Sequence, residues 1–126
     1  MNIIAIVTVV IGAFVLSTVY YMITGKARAE ILGTGPDERP EPWKMLVELL
    51  RNAVLAGVIA WFVHEQGITT AGGGLALAGL AWLGFPAVLL SGSVIWDNVR
   101  AKLAVIHGGD WLIKIAFMAV LLGVWQ

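Results

Sequence analysis

The chain is built from long apolar runs separated by short polar breaks. Residues 2–23 carry no charge and are long enough for one membrane crossing, which takes about 20 apolar residues. A polar connection follows at 24–42, with Pro36, Pro40 and Pro42; the last of these suits the first turn of a new helix. The second apolar run is 43–63, closed by His64-Glu65-Gln66-Gly67. From Gln66 to Trp96 there are 31 residues without a charge, and the third span falls inside them at 73–96, with a kink expected at Pro86. The fourth span is read as 101–125 rather than 110–126, because Leu103 to Ile106 is apolar. That reading places His107, Gly108, Gly109 and Asp110 inside the membrane. The pattern predicts one all-α domain over 1–126, an integral membrane bundle of four transmembrane helices with a polar loop at 24–42.

Composition sharpens this picture. Hydrophobic residues make up 60% of the chain and charged residues 13%, about half the charged share of a soluble globular domain. The mean hydropathy is +0.90. A soluble fold of this size could not hide so much apolar surface, whereas a lipid bilayer solvates it. The net charge of zero argues against a nucleic-acid partner, which would need a basic surface. The absence of cysteine excludes disulfides, thiol nucleophiles and thiolate metal sites. The start of the chain does not read as a signal peptide: positive charge follows the apolar run instead of preceding it, and the run is too long for such a leader.

Lys26, Arg28, Arg39 and Lys44 cluster around the first connection and Arg100 and Lys102 in the third, against none in the second connection or at the termini. The positive-inside rule then predicts that loops 24–42 and 97–102 face the cytoplasm and both termini face outward. Trp43 and Trp61 are 18 residues apart, about 27 Å of helix, as expected for aromatic residues at the two interfaces.

The chemistry-bearing residues lie within the spans. Glu48, Arg51 and Asn52 share one face of the second helix, and His107, Asp110 and Lys114 share one face of the fourth. Their depths match when both helices are counted from the cytoplasmic side. Cross-helix pairing is expected between Arg51 and Asp110, and between Glu48 and His107 or Lys114. The formal charges of Glu48, Arg51, Asp110 and Lys114 cancel, which suits a self-satisfied structural network. The competing reading is a polar cavity or proton relay with His107 as the titrating group. His64 and His107 belong at opposite ends, so no metal or haem site and no cofactor is expected. Ser91 and Ser93 have no histidine placed beside them, and no catalytic residue is assigned. Gly72-Gly73-Gly74 lacks the Lys-Ser/Thr sequel of a phosphate loop and reads as a place of close helix approach. Ser17, Thr18, Tyr20 and Tyr21 read as helix-packing and interfacial residues. Small residues recur at four-residue spacing, as in Ala5, Ala13 and Ser17, or Ala119 and Gly123, and allow close helix packing.

Three stretches carry a resemblance: TVYYMITGKARAEILG, GLALAGLAWLGF and LAVIHGGDWLIKIAFMAVLLGVW. Together they resemble the domain of unknown function 1761 family, small bacterial membrane proteins with four predicted helices. The most specific parts are Tyr21 with Gly25-Lys26, Trp82-Leu83-Gly84-Phe85, and Gly123-Val124-Trp125. The resemblance implies that 103–125 is one helix and implies no activity. Arg28 stands where it would imply an aromatic residue, and Asp110 and Lys114 are more charged than it would imply.

The functional expectation is a non-enzymatic accessory or structural component of a bacterial inner membrane. Its partners would be the lipid bilayer and either further copies of itself or a larger membrane complex. The alternative is a small transporter or channel using Glu48, Arg51, Asp110 and Lys114.

Overall fold

The computed structural model describes residues 2–33 and 41–125. Helix α1 spans Ile3–Leu32, α2 Pro42–Glu65, α3 Ala71–Gly84, α4 Pro86–Trp96 and α5 Ala101–Val124. With α3 and α4 taken as one broken span, four helical segments are long and apolar enough to cross a membrane. The protein is an all-α membrane bundle of four spans.

Local chemistry explains where the helices start and stop. The Asn2 side chain accepts from Ala5 N at 3.2 Å and caps α1. The sequence reading ended the first span at Ile23, but α1 runs on for nine more residues. Ala, Lys, Arg and Glu dominate 26–31 and are good helix formers, so charge alone does not end the helix there. The end comes at Gly33, whose φ of 70° is left-handed. At 30 residues α1 is about 45 Å long, so its charged last turns reach beyond the apolar thickness. The predicted loop 24–42 is therefore helical up to Leu32, and 34–40 lies outside the described residues. Pro42 opens α2 as its first residue.

Thr70 caps α3, its hydroxyl accepting from Gly73 N at 3.0 Å. The helix breaks at Phe85 (φ −117°, ψ −75°), immediately before Pro86. Proline lacks an N–H and disfavours helical geometry at the residue before it, so the helix is interrupted at this one residue, while Phe85 N still bonds the Ala81 carbonyl and Leu89 N the Phe85 carbonyl, as a kink at Pro86 requires. Asn98 takes a left-handed φ of 57° in the turn to α5. Helix α5 then continues without interruption through His107-Gly108-Gly109-Asp110.

Helix α5 is the hub of the bundle: it packs against all four other helices. Its most apolar window is 44% buried, against 11% for the α3–α4 span. Among the described residues, the fully enclosed core comprises Ala5, Val9 and Ala13 of α1, Ala56 of α2, and Met118 and Ala119 of α5. At the α3–α5 crossing, Gly74 lies directly against the α5 backbone. A Cβ there would fall 2.6 Å from the Ala119 carbonyl oxygen. This is the close approach expected of Gly72-Gly73-Gly74, made by the third of the three.

Candidate intramembrane polar site

The polar residues meet where α1, α2 and α5 adjoin. Counted along α5 from Ala101, His107 lies about 9 Å in, Asp110 about 14 Å and Lys114 about 20 Å, in a helix about 36 Å long. Lys114 is thus near the middle of the span, and it is 3% exposed. Its ammonium lies 3.3 Å from Asp110 Oδ2, one turn back on α5, and 3.6 Å from Glu48 Oε1 on α2. It also lies over the Trp111 ring, 4.4 Å from the centroid. The second Asp110 oxygen accepts from the Ser17 hydroxyl at 2.6 Å. One carboxylate thus joins α1 to α5, and one ammonium joins α5 to α2.

Arg51 does not pair with Asp110 as expected. It bonds Glu48 on its own helix at 2.8 Å and is 58% exposed. The reason is geometric. The buried face of α2 runs through Asn52, Ala56, Ile59, Ala60 and Val63, and Arg51 is turned away from it. Asp110 is already satisfied by Lys114 and Ser17. Glu48 pairs with Lys114, one of its two expected partners. His107, the other, instead takes Tyr21, whose hydroxyl is 2.7 Å from His107 Nδ1. Asn52 is 1% exposed, and its amide nitrogen and oxygen have no hydrogen-bond partner.

Residues first read as packing groups complete the site. Ser17 and Tyr21 continue, at four-residue steps, the stripe of Ala5, Val9 and Ala13 along the buried side of α1. That stripe was the available signal; the partners of its last two members needed the packed fold. The Tyr20 hydroxyl donates to the Ile106 carbonyl at 2.6 Å, crossing against Gly109, where any Cβ would collide with it. The indole of Trp82 donates to the Gly108 carbonyl at 2.9 Å. Arg28 lies over the Tyr21 ring at 5.4 Å. Of the two glycines in His107-Gly108-Gly109-Asp110, Gly109 is required by the close approach of Tyr20, whereas a Cβ at Gly108 would make only ordinary contacts with Leu90 and Trp82.

The charged members form a chain, Arg51–Glu48–Lys114–Asp110, that sums to zero and ends on a hydroxyl. Among the described residues no three His, Asp or Glu side chains gather into a metal site. His64 is at the far end of α2, beside Asn2, Leu122 and Trp125, well away from His107. These features define a multi-pass membrane bundle pinned by an internal ionic network.

The chain belongs to the family described as "Protein of unknown function (DUF1761)", whose profile matches residues 4–123. No curated protein and no solved structure matches it.

Proposed function

We propose that this is a small structural or accessory protein of a bacterial inner membrane, acting through helix–helix contacts and not as an enzyme. The observation that carries the reading is the closure of the network. The buried Lys114 and Asp110 neutralise each other, and their remaining contacts go to Glu48 and Ser17 of the same chain. Such a network fixes the register of α1, α2 and α5 and leaves no buried charge open to a cargo.

The working surface in this reading is the outward face of α3. Gly72, Ala76 and Gly79 recur there at steps of four and three, all exposed, on the least buried span. Small residues so arranged let a second transmembrane helix approach closely. A homodimer or a place in a larger membrane complex follows. Native mass spectrometry from mild detergent should show dimers or a retained partner; single chains alone, at every protein concentration, would count against it.

The orientation proposed has both termini outside. The ends of α1 and the starts of α2 and α5 gather Lys26, Arg28, Lys44, Arg100 and Lys102 at one end of the bundle, the end that the positive-inside rule assigns to the cytoplasm. The chain has no cysteine, so single cysteines report cleanly. One at Gln66 should react with an impermeant thiol reagent on intact cells, and one at Asp97 only after permeabilisation. The opposite pattern would reverse the topology.

A second reading, a small transporter or channel, has two observations in its favour. One is the unpartnered Asn52 amide. The other is a cavity of about 380 Å³ at the far end of the same three helices, lined by Asn2, His64 and Trp125 among others. Along the helices, Val9, Ala56 and Met118 lie between this cavity and the network, all with 0% exposure. That packed layer supports the structural reading.

A further inference from the structure

We propose that the groove between α4 and α5 is a binding site for an anionic phospholipid, with an acyl chain in the groove and the phosphate at Arg100 and Lys102. The site is separate from the polar network and does not depend on its role.

The groove has a volume of about 570 Å³ and a lining that is overwhelmingly apolar. Ala87, Leu90 and Val94 of α4 form one wall, Ala104 and Gly108 of α5 the other, and Trp82 the floor. The hydrogen bond from Trp82 to the Gly108 carbonyl holds that floor in place. The groove follows α5 from Ala101 to Gly109, about 12 Å at helical rise. A long slot with this apolar lining suits a hydrocarbon chain laid along α5.

The mouth supplies the sign of the headgroup. The groove opens at Ile95 and Ala101, where the chain turns from α4 into α5. Arg100 is the residue at the start of α5, and no side chain caps that helix. Lys102 follows in its first turn. Among the described residues neither cation is engaged in an ion pair. The nearby acid is Asp97, one negative charge against two positive. Trp96, 82% exposed at the same level, is a residue type that anchors in the headgroup region. An apolar slot opening beneath two unpaired cations matches a phospholipid with net negative charge, since basic positions beside transmembrane helices recruit such headgroups.

The test uses the full chain, delipidated in mild detergent and titrated with phosphatidylglycerol or with phosphatidylcholine of the same acyl chains. Binding is read by native mass spectrometry and by the shift in melting temperature. One phosphatidylglycerol per chain should be retained at concentrations where phosphatidylcholine is not. Arg100→Gln with Lys102→Gln, both on the surface turn, should weaken phosphatidylglycerol roughly 10–30-fold, to the level of phosphatidylcholine. Ala87→Phe, which fills the groove from its wall, should abolish retention of both lipids. Equal binding of the two lipids overturns the proposal. So does phosphatidylglycerol binding that survives Ala87→Phe in a chain that still melts cooperatively, or a groove occupied by a second copy, seen as dimers that Ala87→Phe converts to monomers.

Discussion

Lys114→Leu is expected to destabilise the bundle by about 3–5 kcal/mol, the usual cost of leaving one member of a buried ion pair alone. Lys114 is the group on which α2 and α5 converge: it lies within 3.6 Å of Glu48 and 3.3 Å of Asp110. Without it, Asp110 keeps a single hydroxyl donor, Ser17, near the middle of the membrane. Asp110→Leu should be severe for the mirror reason, since Lys114 would retain Glu48 alone. The two changes together should recover much of the loss, because no buried charge is then left without its partner, and Glu48 keeps Arg51. Equilibrium unfolding in mixed micelles measures all three variants. A double variant no more stable than the sum of the singles would break the assignment of the pair. Arg51→Leu is the contrast. Its pair with Glu48 is exposed and within one helix, so the change should cost no more than about 0.5 kcal/mol.

Gly74→Ala is the second large effect, and it arises from packing. The added methyl would meet the Ala119 carbonyl oxygen at 2.6 Å, and Ala119 C and Val120 Cα at 2.9 Å. All three are backbone atoms of the central helix and cannot rotate aside, so α3 must move off α5. A cost of about 1–3 kcal/mol is expected. Gly57→Ala, in the interior of α2 and outside the proposed contact face, meets nothing within 4 Å. It should be neutral or stabilising by up to about 1 kcal/mol through helix propensity. Equal melting temperatures for the two variants would contradict the close α3–α5 approach.

Much of the architecture was legible in the sequence because a bilayer imposes a coarse rule. Each span must be a long apolar helix, so the runs at 43–63, 73–96 and 101–125 map onto α2, the α3–α4 pair and α5. Pro42 as a helix start and Pro86 as an interruption follow from proline's fixed φ and missing N–H. The length of α1 was less legible. Its last nine residues include Lys26, Arg28 and Glu30 and so read as a polar connection, yet charge opposes burial in lipid, not helix formation. In the site, the shared faces of Glu48 with Asn52 and of Asp110 with Lys114 followed from spacing alone. Spacing could not tell that Arg51, three residues from Glu48, would turn outward. The roles of Ser17 and Tyr21 were hidden for a different reason: a serine or tyrosine near a span's end has several ordinary uses. Only the packing of α1 on α5 shows that these two reach Asp110 and His107.

In the structural reading proposed above, the ionic network holds helices together and conducts nothing. The direct measurement is proton and monovalent-cation flux into liposomes carrying the purified protein, with empty vesicles and an Asp110→Asn variant alongside. Wild type, variant and empty vesicles should give the same rate, because the Val9, Ala56 and Met118 layer closes the path beyond Lys114. Flux that is present in the wild type and abolished by Asp110→Asn would contradict it and identify a proton- or cation-linked carrier.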